Sequence, residues 1–128
     1  MMEITYEEFS KIQIRVGTVL SLRKNEKARQ PALVLEVDFG KEIGIKISSS
    51  KITQYYNSEN LVGRQIIAVC NFPPKNIAGI ISEVLILGAL EKDGKVVLLH
   101  PSSKVENGLK VYWNKYLIKA YTIPCSTF

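Results

Sequence analysis

The chain has 128 residues and a formal net charge of +5, from 17 basic and 12 acidic side chains. This length predicts one domain that buries its own core without disulfides or a structural metal. The moderate positive charge is compatible with a polyanionic partner but does not require one. The two cysteines, Cys70 and Cys125, exclude a disulfide framework and indicate a reducing compartment.

The distribution of apolar residues argues against membrane insertion and export. Charged residues interrupt every apolar run before it reaches the length of a membrane span. The first eight residues contain three glutamates and no apolar core segment, which is atypical of a signal peptide. We therefore expect a cytoplasmic protein.

The N-terminal region predicts one short helix and one strand. Thr5 is followed three residues later by Glu8, which is the pattern of a capping box and predicts a helix over residues 6–11. Apolar and polar residues then alternate over 12–22, which predicts a half-buried strand. Gly17 interrupts this alternation and indicates a bulge or bend.

Two further strands and a second helix follow. Residues 23–31 are polar and predict a loop. Alternation predicts a second strand over 33–39 and a third over 43–47, with a turn at 40–42 between them. Three serines end the third strand, and residues 51–56 predict a short helix with Ile52 facing inward.

The C-terminal half predicts two more strands around a rigid crossing. Apolar runs place strands at 65–70 and 82–87, with Cys70 as a buried small hydrophobe. Pro73 and Pro74 between these strands predict an irregular crossing and exclude a hairpin with a tight two-residue turn. Hairpin or turn signals follow at 93–94 and 107–108.

The order of these elements points to a fold class. Three strands, a short helix and two further strands are the order of the OB-fold, a five-stranded Greek-key barrel that often binds oligonucleotides. We therefore predict an all-β OB-fold with a short helix between its third and fourth strands. A small sandwich with a helical insert has the same order and stays open as an alternative.

Two features are candidate binding surfaces. Arg23, Lys24, Lys27 and Arg29 cluster in the loop that borders the nucleic-acid face of an OB-fold. The alternative is a loop that is charged only for solubility. The crossing carries Lys75 and is stiffened by its proline pair, so it is either a binding platform or a shaped connector.

The sequence contains no pattern that indicates catalysis. His100 has no cysteine or carboxylate cluster at metal spacing, so we interpret it as structural or exposed. The serines of residues 48–50 lack both a histidine base and a nucleophile elbow. No phosphate-cradling glycine loop is present. We predict a protein that is not an enzyme and that uses neither a metal nor a cofactor.

Several short motifs occur in the order found in one family. Together they resemble the tRNA-binding domain family, which is related to the C-terminal module of methionyl-tRNA synthetase and to the EMAP-II domain. Within that family the chain resembles the CsaA branch of secretion-related chaperones, over about residues 9–111. The motifs are Ile14-Arg15-Val16-Gly17, Glu26 to Ala32, Asp38-Phe39-Gly40, Ile45 to Ser49, Asn71-Phe72-Pro73-Pro74 and Ser82 to Gly88.

The resemblance implies a homodimeric OB-fold that binds tRNA by shape and backbone, and it implies an RNA-binding set of basic and polar residues. That set is Arg15, Lys27, Arg29, Ser48, Ser49, Asn71, Lys75 and Ser82. The CsaA branch also implies a chaperone role, in which apolar pockets of the dimer bind unfolded preprotein peptides. Phe72, Pro73 and Pro74 are the peptide-binding candidates. Phe72 alternatively stacks on a base or packs beneath the crossing.

Two departures from the family pattern bear on this interpretation. Where the family often has Ser-x-x-Met, this chain has Ser82 to Leu85, and Glu83 brings a negative charge that favours the CsaA-like role. We also predict a division into an OB-fold domain over 1–112 and an extension over 113–128. This aromatic extension covers an apolar surface, adds to the dimer contact, or is a non-native addition.

Overall fold

The computed structural model describes residues 1–52, 55–111 and Trp113. Helices are short and strands dominate the described residues. The elements in chain order are α1 (Tyr6–Ser10), β1 (Ile14–Lys24), β2 (Leu33–Asp38), α2 (Gly40–Ile43), β3 (Ile45–Ser50), α3 (Ser58–Leu61), β4 (Gln65–Val69), β5 (Lys75–Ile77), β6 (Ile80–Ser82), β7 (Leu85–Ile86), β8 (Gly88–Leu90) and β9 (Val96–Leu98).

Five of these strands form a nearly closed barrel. The sheet is antiparallel with the order β3-β2-β1-β4-β7, and the long strand β1 pairs with both β2 and β4. The chain between β6 and β7 reaches β3 through the Glu83 backbone N–H, which donates to the Ile47 carbonyl at 2.7 Å. The Ile47 and Ser49 backbone N–H groups donate to the side chains of Glu83 and Ser82 at 3.1 Å each. The predicted five-stranded OB-fold is confirmed.

The core lies inside this barrel and explains the glycine in β1. Phe39 and Val37 are fully buried. A Cβ at Gly17 would lie 2.7 Å from side-chain atoms of both residues, which is too close for any larger residue. Gly17 keeps a regular register with β4, so the predicted bulge or bend does not appear as a bulge there, and the β1/β2 register shifts later, between Val19 and Ser21. Other core members are Val19, Leu33, Leu35, Ile52, Leu61, Ile66, Ala68, Val84 and Leu98.

Capping boxes mark where α1 and α3 begin. The predicted box at the start of α1 is confirmed, because Thr5 Oγ1 accepts from the Glu8 backbone N–H at 3.1 Å. The helix predicted over 51–56 is displaced. The described residues of that range are not helical, and α3 begins after Asn57, whose side chain accepts from the Asn60 backbone N–H at 3.0 Å. A short helix between β3 and β4 is nevertheless present.

The crossing over 71–81 differs from its prediction. It contains the hairpin of β5 and β6, with Ala78 and Gly79 in the tight turn. Their φ angles of 49° and 86° are the left-handed values that such a turn requires. Alanine rarely takes this conformation, which is why the sequence did not indicate a hairpin. The two prolines precede it outside any strand.

Several strand and helix boundaries differ from those predicted. The strand predicted over 82–87 is interrupted at residues 83–84, so β6 ends before this break and β7 follows it. The turn predicted at 40–42 is the one-turn helix α2, and β1 extends through Lys24 into the predicted loop. The β8–β9 hairpin around residues 93–94 is confirmed.

The C-terminal extension is largely outside the described residues. Residue 112 and residues 114–128 are among those that the structure does not describe. The Trp113 ring lies 5.2 Å from the Tyr6 ring, edge to face. The domain division at residue 112 stays a prediction.

Candidate nucleic-acid interface

A cleft of about 230 Å³ lies between β3, the proline pair and the β5–β6 hairpin. We call it the hairpin cleft. It brings together predicted residues from both candidate sets, although Pro74 is exposed outside its lining. From the RNA set it contains Ser48, Ser49, Lys75 and Ser82, and from the peptide set Phe72 and Pro73.

The serines of the hairpin cleft are bonded within the protein. Ser48 is 1% exposed, and its hydroxyl bonds to that of Ser50 at 2.9 Å. Ser82 Oγ accepts from the Ser49 backbone N–H at 3.1 Å. Lys75, at the start of β5, is exposed and supplies positive charge at the rim.

The remaining walls of the hairpin cleft are apolar. Ile77, Val84 and Leu85 line it beside the aromatic ring of Phe72. Phe72 is 56% exposed, so the interpretation that it packs beneath the crossing is wrong. A cleft with hydroxyls on one wall and apolar side chains on the other suits a ligand that has both characters.

Glu83 places a carboxylate in the hairpin cleft, as the sequence indicated, but its charge is paired. Lys46 Nζ lies 3.6 Å from Glu83 Oε2. The other carboxylate oxygen accepts from the Ile47 backbone N–H at 3.1 Å. Glu83 therefore repels an approaching phosphate less than an isolated carboxylate would.

A residue that the sequence analysis missed attaches the basic loop to the hairpin. The basic loop runs over 25–32. Asn25 is 7% exposed and donates from Nδ2 to the Ile77 carbonyl at 3.1 Å. Its Oδ1 accepts from the Lys27 backbone N–H at 3.3 Å, a turn that asparagine at a loop start commonly forms. Asn25 thereby fixes the loop against β5.

The basic loop and the hairpin cleft form one continuous surface. A neighbouring cleft of about 310 Å³ is lined by Arg29 and Lys51, and it shares Ser49 and Ile77 with the hairpin cleft. Lys27 is exposed on the loop, and its Cδ approaches the hairpin tip at Gly79. Lys27, Arg29 and Lys75 are thus brought together.

Arg15 and Asn71 line neither the hairpin cleft nor the cleft beside the basic loop, and both bond to Gln13. Asn71 accepts from the Gln13 backbone N–H at 2.9 Å and donates to the Lys11 carbonyl at 2.7 Å. Arg15 donates to the Gly108 carbonyl at 2.9 Å and to the Gln13 side chain at 2.8 Å. We call these residues the Gln13 clamp. The clamp fixes β1 to its neighbours, and an RNA contact of Arg15 or Asn71 stays a prediction.

Cys70 lies beside the clamp, and it packs against the core as the predicted small hydrophobe but is half-buried rather than buried. Its backbone N–H donates to the Gln13 carbonyl at 2.8 Å. Burial raises the pKa of its thiol to about 11, and the positive charge of Arg15 offsets part of this effect. The thiol is therefore poorly reactive near neutral pH.

Within residues 1–52, 55–111 and Trp113, no histidine, cysteine and carboxylate side chains form a cluster that could hold a metal ion. No helix in the same residues is long and apolar enough to cross a membrane.

The fold and this surface define the class of small OB-fold binding modules. The tRNA_bind family, described as a tRNA binding domain, matches residues 14–110. The chain therefore belongs to this tRNA-binding domain family, and the resemblance inferred from the motifs is confirmed.

Individual relatives fall into two groups. The crystal structure of the chaperone CsaA from Bacillus anthracis is 48% identical with a TM-score of 0.82, covering 87% of this chain and 100% of that one. CsaA from Picrophilus torridus is 49% identical with a TM-score of 0.80, covering 86% and 100%. Methionine–tRNA ligase of Bacteroides fragilis is 38% identical over 108 residues, 84% of this chain. The chain spans 16% of that ligase.

Proposed function

We propose that this protein is a non-catalytic tRNA-binding module that binds tRNA through its backbone and shape. Membership of the tRNA-binding domain family supports tRNA as the partner. The observation that carries the proposal is the bond from Asn25 to Ile77, which holds the basic loop beside the hairpin cleft. A fixed array of cations suits a fixed spacing of phosphates.

The proposed contacts follow from the chemistry of each group. Lys27, Arg29 and Lys75 are exposed, so their charges meet phosphates without first breaking a bond inside the protein. Ser82 donates to the Val84 carbonyl over a long 3.5 Å, and we propose that its hydroxyl exchanges this bond for one to a ribose hydroxyl, a principal target in RNA recognition. Ser49 is 8% exposed and is proposed to support Ser82 through its backbone N–H. Phe72 supplies a ring on which one unpaired base stacks.

We further propose that the active form is a cytoplasmic homodimer. The helix α1 carries no buried residue, yet it and its flanks present large apolar side chains to solvent. These include Ile4 at 62% and Tyr6 at 45% exposure. Covering such side chains against a second copy removes apolar surface from water. Light scattering of the purified protein that gives a monomer mass at micromolar concentration contradicts this proposal.

A second candidate function is a chaperone that binds unfolded peptides in the hairpin cleft. The apolar wall formed by Ile77, Val84 and Leu85, with the exposed ring of Phe72, favours this candidate. CsaA relatives bear the name chaperone. A side chain of an extended apolar peptide fits a cleft of about 230 Å³.

One pair of variants separates the two functions. Lys27→Ala with Arg29→Ala removes charge from the basic loop and is expected to weaken binding of labelled tRNA roughly tenfold. The same variant is expected to protect an aggregating client protein as well as the wild type does. Phe72→Ala is expected to reduce client protection, measured by light scattering, while lowering tRNA affinity less than the loop variant.

The matched control is Lys41→Ala with Lys92→Ala. It removes the same charge from exposed positions that line neither the hairpin cleft nor the cleft beside the basic loop. If the control weakens tRNA binding as much as the loop variant, the effect is due to net charge and the proposed surface is contradicted. If Phe72→Ala leaves client protection unchanged, the peptide site is contradicted.

A further inference from the structure

A separate cavity, of about 350 Å³, lies at the beginning of β4. We call it the His100 pocket. One wall is Arg64, which directly precedes β4, and the other is the segment from His100 to Lys104 that follows β9. The hairpin cleft is beyond the other end of β4. The five residues of β4 span roughly 13 Å from first to last.

The walls of the His100 pocket are held rigidly by one buried side chain. Gln65 Nε2 donates to the Val105 carbonyl at 2.6 Å, and Gln65 Oε1 accepts from the Val105 backbone N–H at 3.0 Å. The Gln65 carbonyl also lies 3.0 Å from His100 Nδ1. The segment that carries Ser102, Ser103 and Lys104 is therefore fixed to β4 at both ends.

The polar groups of the His100 pocket suit an anion. Arg64, His100 and Lys104 are exposed in its lining together with two serine hydroxyls. Its lining includes no Asp or Glu. In the part of the chain that the structure describes, the ion pairs join Lys46 to Glu83 and Lys95 to Asp93. The charges of Arg64 and Lys104 are thus not used by either pair.

The hydrogen bond of His100 fixes the role of its ring. A backbone carbonyl only accepts, so Nδ1 donates to Gln65 and carries the proton. Nε2 is then the ring nitrogen left for a ligand. It accepts from a protonated phosphate monoester in the neutral ring and donates to phosphate when the ring is charged.

We propose that the His100 pocket is a phosphate-binding site, separate from the hairpin cleft. Arg64 supplies a planar fork that matches two phosphate oxygens, Lys104 supplies a second charge, and Ser102 and Ser103 supply hydroxyl donors. The phosphate belongs either to a nucleic-acid backbone or to a small phosphorylated molecule. This inference does not depend on the function proposed for the basic loop.

The test is a titration of the intact protein with inorganic phosphate at constant ionic strength, balanced with chloride. Backbone amide signals of Ser102, Ser103 and Lys104 are followed by two-dimensional NMR and are expected to shift to saturation. Arg64→Gln with Lys104→Gln is expected to weaken phosphate at least about tenfold, because two charged hydrogen bonds are lost. Lys92→Gln with Lys95→Gln, on the β8–β9 hairpin, is the control and is expected to bind phosphate as the wild type does.

Shifts that never saturate, or that are equal in the wild type and the Arg64/Lys104 variant, overturn the proposal. The remaining spectrum checks that the variant is folded.

Adenosine monophosphate and labelled tRNA then distinguish the two sources of the phosphate. A variant that loses adenosine monophosphate but keeps its tRNA affinity assigns the pocket to small phosphorylated molecules, and one that loses tRNA affinity assigns it to the nucleic-acid backbone. The phosphate titration gives its answer whether or not the Lys27/Arg29 variant changes tRNA binding.

Discussion

The Gln13 clamp and the basic loop contain the same kinds of side chain but use them differently. In the clamp, the side chains of Arg15 and Asn71 form hydrogen bonds with the backbone and with Gln13. In the basic loop, Asn25 takes the structural role, and Lys27 and Arg29 stay exposed. In this protein, Lys27 and Arg29 are thus available to a ligand because Asn25 makes the structural hydrogen bonds of the loop.

The largest expected effect tests whether the basic loop acts through charge. If Lys27, Arg29, Lys75 and one further cation each meet a phosphate, tRNA affinity falls roughly 100-fold between about 50 mM and about 200 mM salt. Titration of labelled tRNA at several salt concentrations measures the slope. An affinity that changes less than about twofold over this range contradicts phosphate-driven binding.

The clamp is expected to contribute to stability. Arg15→Ala removes two hydrogen bonds in a partly buried setting, and we expect a loss of about 2 kcal/mol in the free energy of unfolding. Denaturant unfolding measures the loss, and Asn71→Ala is the companion variant with a similar bond count. A variant that keeps its stability but loses tRNA affinity assigns Arg15 to the RNA surface instead.

The reactivity of Cys70 tests how readily the hydrogen bonds of the Gln13 clamp break. With a thiol pKa of about 11, the reactive thiolate is scarce at pH 8. We expect alkylation roughly tenfold slower than that of an ordinary exposed cysteine, because higher nucleophilicity offsets part of the smaller thiolate fraction. Iodoacetamide labelling of a Cys125→Ser variant isolates Cys70. A rate equal to that of a free thiol shows that the clamp opens readily.

The smallest expected effect concerns the charge in the hairpin cleft. Glu83→Gln keeps the oxygen that accepts from Ile47 but removes the carboxylate paired with Lys46. We expect tRNA affinity to rise about twofold to threefold and stability to change by less than about 1 kcal/mol. The binding titration described above measures this change. A fall in affinity indicates that Lys46 needs its partner to stay in place.

Local patterns predicted most of the barrel. Alternation located β2, an apolar run located β4, which is buried at every position, and Thr5 located α1 through its cap. The β5–β6 hairpin was missed because Ala78 takes a φ angle that alanine seldom adopts, which only the surrounding fold imposes.

The sequence predicted which residues belong to the candidate site better than it predicted how they are arranged. Motifs indicated Lys27, Arg29 and Lys75 as cations, and the structure brings them to one surface. Whether a polar side chain is already bonded depends on partners far away in sequence, such as the Gly108 carbonyl that Arg15 meets. The sequence therefore grouped Arg15 and Asn71 with the cleft residues, whereas in the structure they line neither cleft and their side chains bond within the protein.

The side-chain bonds that join β3 to Ser82 and Glu83 have a consequence for how this barrel can change. They form the seam of the barrel, and the same two residues line the hairpin cleft. A substitution of either residue that changes ligand preference also changes the strength of the hydrogen bonds that close the barrel. Substitutions at these two residues therefore change ligand affinity and barrel rigidity together. Hydrogen exchange at the amide protons of Ile47 and Ser49 measures the change in rigidity.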